Sequence, residues 1–313
     1  MIKQIAKKLE TARHIVLILH VNPDADSFGS ASAFYSYILR LQKKVTLFCA
    51  TSQPDKKLAQ LPWFSALRQQ FPKSADLALC FDCGSVSRLG HHVECELINI
   101  DHHSSNSNFG NLNIVNTDAI STTQIIYELF KEGDIKINTK MATALYAGLL
   151  DDSNCFLHSK TDANSFIMAA DLLRCGAQSQ DVSDELYNKN SLASLRLKGL
   201  MFERLELHCS GALAVLHVNL EMLKSSGATA QDSETALEEA LCLATVKVSL
   251  LLRERSDGSI KGSLRGDGSV NLVEFVKDFD GGGHRERSGF VVEDGTICAL
   301  ENKIINKLCK ELN

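Results

Sequence analysis

No excess of basic residues marks this sequence: 33 lysines and arginines stand against 38 aspartates and glutamates, for a net charge of −5. A chain without a global positive field cannot hold a long polyanion by counterion release, which disfavours duplex nucleic acid and favours short anionic ligands. No apolar run is long enough to span a bilayer. Met1-Ile2-Lys3-Gln4 leads into a mixed helical pattern without the basic, apolar and small-residue regions of a signal peptide. No membrane contact is expected, and there is no internal repeat or low-complexity tract. The single tryptophan, Trp63, lies in a proline-flanked loop and reads as packing. The ten cysteines are scattered, mostly among apolar neighbours, without a small disulfide framework, so free thiols and a cytoplasmic location are expected. Cys80 and Cys83 form one C-x-x-C, but neither a second ligand pair nor a helical context supports a zinc or redox reading.

What is present is the material of a large α/β core: 313 residues, 44% of them hydrophobic, enough for two domains. Ile15 to Leu19 is a continuous aliphatic run, as expected of a strand buried on both faces. Similar runs follow at Val45–Cys49, Leu77–Phe81 and Leu97–Ile100. Three of the four deliver chemistry at their carboxyl ends: His20 after the first, Asp82 after the third, Asp101-His102-His103 after the fourth. In open parallel sheets ligands bind beyond the carboxyl ends of the strands, so residues distant in sequence would meet in one crevice.

Helical spacing is expected from about Ser30 to Leu41, Thr122 to Lys131, Thr139 to Leu150, Asp162 to Cys175 and Glu185 to Leu207. The fold class that follows is α/β, with an N-terminal parallel-sheet domain at 1–185, a helical linker at 186–208 and a smaller α/β domain at 209–313. In the last, strand-like stretches at 212–218, 246–252 and 260–264 precede Gly281-Gly282-Gly283-His284 and a closing helix from about 297 to 312.

His20-Val21-Asn22-Pro23-Asp24-Ala25-Asp26 places an imidazole and two carboxylates on one loop, a dense set of metal donors. Unpaired, Asp24 and Asp26 would repel; a divalent cation removes the conflict, and Asp82, His102 and Asp152 could complete a second site. Two ions about 3.5–4 Å apart can polarise a phosphoryl group and activate water. For any one residue a helix cap or polar turn is the simpler reading. Coincidental capping does not explain the whole set arriving at one sheet edge.

These blocks resemble the motifs of the DHH phosphoesterase superfamily, and the C-terminal unit resembles its DHHA1 domain. His20 to Ser30 fits H-x-x-P-D-x-D-x-x-G-S, Asp82-Cys83-Gly84 through Arg88 fits the second motif, and Asp101-His102-His103 is the naming triplet. The resemblance implies that His20 and Asp24 bind one cation, that Asp26 and His102 bind the other, and that Asp82 and Asp152 lie between or beside them. His103 would face the scissile phosphate, Asp101 would orient the histidines, and a metal-bridging hydroxide would attack. The implied metal is Mn2+, with Mg2+ or Co2+ as alternatives. The fourth block reads Asp152-Ser153-Asn154-Cys155-Phe156 where the family has D-T-G-x-F; alignment through Phe156 selects Asp152 over Asp151, and Asn154 stands in place of glycine. In the second domain the resemblance makes Arg265, Gly282, Gly283 and His284 contacts to a substrate phosphate or nucleobase, and Arg88 a further phosphate contact. Arg287 reads as a solvated charge. His14, His91, His92, His158, His208 and His217 lie outside the motifs and read as surface or packing residues.

Within the superfamily the chain resembles the stand-alone nanoRNase and pAp phosphatase branch, whose substrates are very short oligonucleotides and adenosine bisphosphate. Rival readings are a cyclic dinucleotide phosphodiesterase and, from another class, a catalytically silent nucleotide-binding module. The expected partner is a small nucleotide, with no long duplex; a homodimer is left open.

Overall fold

Ile15, Val16, Leu17, Ile18 and Leu19 have no exposed surface at all, because the strand they form has protein on both faces. This strand, β1 (His14–Leu19), sits inside a six-stranded sheet. Ile15, Leu17 and Leu19 point into one core and Val16 and Ile18 into another, which is why no polar alternation interrupts the run.

The structure is a computed structural model describing residues 1–283, 285–293 and 296–312. Two units, Met1–Lys189 and Asn190–Asn313, each carry their own cores. The first runs α1 (Ile2–Thr11), β1, α2 (Ala25–Arg40), β2 (Lys44–Phe48), β3 (Leu67–Arg68), β4 (Leu77–Phe81), β5 (Glu96–Asp101), β6 (Leu112–Val115), α3 (Thr122–Glu132), α4 (Thr139–Asp152), α5 (Ala163–Arg174) and α6 (Ser179–Ser183). Its strands are ordered β3-β2-β1-β4-β5-β6 and every pairing is parallel. The order reverses between β1 and β4, the place where such sheets open a crevice.

The second unit contains α7 (Leu192–Glu203), β7 (Glu206–His208), β8 (Leu213–Val218), α8 (Leu220–Ser226), α9 (Thr235–Leu241), β9 (Val248–Glu254), β10 (Ile260–Gly266), α10 (Leu272–Val276), β11 (Gly282–Gly283), β12 (Arg287–Val292) and α11 (Ile297–Leu312). Its sheet, β11-β12-β10-β9-β8-β7, is mixed, with β8 and β9 parallel.

Two expectations change. The stretch read as one helix from Glu185 to Leu207 is divided: a π-turn spans Asp184–Asn188, Ser191 caps α7 by accepting from the Ser194 amide, and Leu207 lies in β7. Leu197 and Met201 draw α7 into the core of the second unit. The cysteines are not all free: Cys209 and Cys309 are disulfide-bonded with Cα atoms 5.1 Å apart, because the β7–β8 turn and the end of α11 bring positions 100 residues apart together. Cys80 and Cys83 remain buried free thiols. Among the described residues no helix is long and apolar enough to cross a membrane.

The approach of α2 to α4 depends on glycine. A Cβ at Gly29 would stand 2.3 Å from the Ala144 carbonyl oxygen, and one at Gly148 would stand 2.4 Å from Thr123 Cγ2 and 2.8 Å from Asp26 Cα. Gly148→Ala is expected to destabilise the first unit by about 1–3 kcal/mol and to displace Asp26. Urea unfolding together with metal affinity checks both effects; an unchanged midpoint with unchanged affinity would show that the helices can separate freely.

Candidate active site

Strand register assembles the site. Leu19 pairs with Phe81 and Phe81 with Ile100, so the next residues along each strand, His20, Asp82 and Asp101, come level at one rim. Asp24 starts α2, with Oδ1 accepting from the Ser27 amide at 2.9 Å, while Oδ2 lies 3.5 Å from His20 Nε2. The cap and the donor set are therefore served by different oxygens of one carboxylate.

Asp82 is the hub. Its Oδ2 is 3.3 Å from His20 Nε2, and its Oδ1 is 3.4 Å from His102 Nε2 and 3.3 Å from His103 Nδ1. His102 Nε2 lies 3.1 Å from Asp152 Oδ2. Three donor groups result, each with ligand atoms within 4.8 Å of one another: His20, Asp24 and Asp82; Asp26, His102 and Asp152; Asp82, His102 and His103. Asp101 turns to support: Oδ1 accepts from the His102 amide at 2.8 Å and lies 2.7 Å from His103 Nδ1. Its Oδ2 accepts from Asn106 Nδ2 at 2.5 Å.

The two aspartates at the end of α4 face different ways. Asp151 Oδ2 accepts from the Ala25 amide at 3.0 Å and its Oδ1 from the Tyr187 hydroxyl at 3.3 Å, whereas Asp152 enters the donor cluster. The following loop holds Asn154 at φ 47°, in the left-handed region that asparagine tolerates better than most residues.

Contacts that sequence reasoning missed fix Asp26: Oδ2 accepts from the Thr122 amide at 2.7 Å and Oδ1 from the Thr123 amide at 2.9 Å. These are N–H groups at the start of α3, where a carboxylate is favoured. Thr122 Oγ1 also donates to Asp82 at 3.1 Å. The signal was Ser121-Thr122-Thr123 before a helical run, with Ser121 as the cap.

The electrostatics show what the donors need. Burial, with the Asp82 charge, pushes Asp26 up to about 7; burial and Asp26 push Asp152 well above the carboxylate range. Burial opposes charge on Asp82 too, yet His102 and His20 hold it well below. Burial likewise opposes the imidazolium forms, but Asp24 and Asp82 raise His20 to about 11, and Asp152 and Asp82 raise His102 to about 12. Protons thus neutralise a carboxylate cluster that cations would neutralise with better geometry. His20 Nε2 is buried and lacks a hydrogen-bond partner among the described residues, as a nitrogen set aside for a ligand would be. Its Nδ1 lies 2.8 Å from the Val21 carbonyl oxygen and 2.8 Å from Arg88 Nη2. Those contacts demand opposite tautomers, since the carbonyl needs Nδ1–H and the guanidinium only donates. A cation held by Nε2 would favour the first and would leave Arg88 without its His20 contact.

Metal uptake is therefore expected to expel protons and to tighten as pH rises from 6 to 8, by as much as tenfold per pH unit for each proton released. The sign follows from the histidines: their protons compete with the ion, and raising pH removes the competitor. Calorimetric titration in buffers of different ionisation enthalpy counts the protons; a pH-independent affinity would overturn the proton-filled site.

In the second unit, Arg265 Nη2 is 3.6 Å from Glu234 and Nε 3.8 Å from Glu238, and Arg287 pairs with Glu238 at 2.7 Å. Gly282 and Gly283 form β11 against Gly289 and Ser288. A Cβ at Gly283 would meet the Arg287 carbonyl oxygen at 2.4 Å, whereas one at Gly282 would meet nothing within 4 Å, so packing requires only the former to lack a side chain. His284 lies outside the described residues.

Residues 14–149 match the DHH family N-terminal domain and residues 212–312 match the DHHA1 domain. The bifunctional oligoribonuclease and PAP phosphatase NrnA of Thermus thermophilus is 27% identical over 95% of this chain and 90% of its own length. The protein of that name from Bacillus subtilis is 27% identical over 95% of both. A crystal structure of an exopolyphosphatase-related protein from Bacteroides fragilis superposes with a TM-score of 0.93 at 24% identity, covering 99% of this chain and 97% of that one, and so shares the fold. Two matched domains in series, and a histidine–aspartate cluster of the kind a divalent-metal-dependent hydrolase needs, make this chain a DHH-family phosphoesterase with a C-terminal DHHA1 domain.

Proposed function

We propose that the chain hydrolyses very short oligoribonucleotides and pAp. The observation that carries this reading is the pair of donor groups, His20–Asp24–Asp82 and Asp26–His102–Asp152, at one sheet edge; the names of the near-full-length relatives support the substrate class. Each group would hold one divalent cation, with Asp82 facing both, and the mixed imidazole–carboxylate sets suit Mn2+. Such ions, when bound, supply Lewis-acid polarisation of the phosphoryl group and make water more acidic.

The protein groups do the rest. Asp101 fixes His103 through Nδ1 and, against the cost of burial, raises the imidazole above its ordinary range. His103 is thereby biased toward its protonated form, which would donate to a phosphoryl or leaving oxygen. Arg88, once released from His20, is a cation for a second phosphate oxygen. Arg265, with Gly282, Gly283 and His284, is proposed to contact the phosphate or base of the nucleotide in the second unit; the open space at Gly282 supports a close backbone approach there.

The test is a substrate panel compared by kcat/KM under one metal condition: dinucleotides, pAp, cyclic dinucleotides and pyrophosphate. Dinucleotides or pAp should lead. A lead for cyclic dinucleotides or pyrophosphate overturns the substrate assignment, and no turnover on any member overturns the catalytic reading.

A further inference from the structure

Remote from the strand-end cluster in sequence, the second unit sets ionisable groups at the margin of a hydrocarbon core, with His208, His217 and Glu301 part-buried and Glu206 largely exposed. Leu300, Ile304 and Leu308 of α11 share a core with Leu213 and Val215 of β8. Strand alternation puts His217 on the same face as those two β8 residues. The antiparallel register sets Glu206 and His208 of β7 opposite Val215 and Leu213, and Glu301 comes from α11 itself.

The ligand atoms of Glu206, His208 and Glu301 lie within 4.8 Å of one another. His208 Nε2 is 3.3 Å from Glu206 Oε2, and His217 Nε2 is 3.2 Å from Glu301 Oε1. Both ring nitrogens are buried from solvent, yet neither makes a hydrogen bond among the described residues. The carboxylates stand close but out of line for an N–H donor. Nitrogen and oxygen ligands about 2.0–2.1 Å from a tetrahedral zinc ion are themselves about 3.3–3.4 Å apart, so the spacing suits a shared cation.

We propose that Glu206, His208 and Glu301 bind a divalent cation of the zinc class, with His217 beside the Glu301 carboxylate to orient it. One imidazole and two carboxylates are borderline donors, which favours Zn2+ over the all-oxygen sites of Mg2+ or Ca2+. The ion would tie a three-residue edge strand to the C-terminal helix. An orienting partner such as His217 commonly tunes affinity by about 10–100-fold.

The test uses the full chain loaded with Zn2+ and desalted, with bound metal counted by plasma mass spectrometry in wild type, His208→Ala and Glu301→Gln. Each variant should retain one zinc equivalent fewer than wild type, while Mn2+-dependent turnover stays within twofold. Equal zinc content in all three folded proteins overturns the site. Should His208→Ala fail to fold, anomalous diffraction at the zinc edge from zinc-soaked wild-type crystals decides: a peak beside His208 Nε2 supports the proposal, and its absence there overturns it.

Discussion

Asp82→Asn is expected to lower kcat/KM for pAp and dinucleotides by at least about 10³-fold, about 4 kcal/mol of transition-state stabilisation. Among the described residues Asp82 is the carboxylate that meets three histidines: it lies within 3.4 Å of His20, His102 and His103 and accepts from Thr122. The amide keeps the shape but loses the charge that both proposed cation sites share. The Asp82 charge repels Asp26 and Asp152, but His102 and His20 hold it well below the carboxylate range and it raises both imidazoles in return. A carboxylate held low in the folded state contributes stability at neutral pH, so the variant should unfold more easily than wild type without metal and bind metal less well. Activity within tenfold of wild type, measured at saturating Mn2+, would show that Asp82 is not the shared ligand.

The second large effect separates neighbours. Asp152→Asn should cost both metal affinity and turnover, by about 10²-fold or more, whereas Asp151→Asn should act mainly on stability. Asp151 accepts from the Ala25 amide at the start of α2 and from Tyr187, contacts of the capping kind worth about 0.5–2 kcal/mol. Parallel measurements of metal binding, kcat and urea midpoint assign each residue its role. If Asp151→Asn lost more metal affinity than Asp152→Asn, the fourth block would have been read one residue out of register.

The parallel sheet was legible because its strands are buried on both faces: Ile15–Leu19 and Leu77–Phe81 are uninterrupted apolar runs with a polar residue waiting at the end. β3 and β6 were not, since two residues of edge strand and the mixed Leu112–Val115 segment carry no such pattern. The donors announced themselves by residue type. Their supports did not, because the groups that hold Asp26 are backbone amides of Thr122 and Thr123, which any sequence could supply. β12 was missed for a related reason: Arg287, Ser288 and Gly289 look like a loop until pairing with β10 uses their backbone. The expectation of free thiols holds for eight cysteines and fails for Cys209 and Cys309, because pairing across 100 residues is a property of tertiary structure, invisible in spacing.

That pairing has a consequence for the fate of the chain under attack. The Cys209–Cys309 bond encloses nearly the whole second unit, so one proteolytic cut inside the loop opens the backbone without releasing a fragment. Exposed turns such as Ser256–Gly258 can then be nicked while the pieces stay tethered. The damage would pass unseen on a non-reducing gel, and the severed unit would keep both halves of its sheet within reach of each other until a reductant parted them.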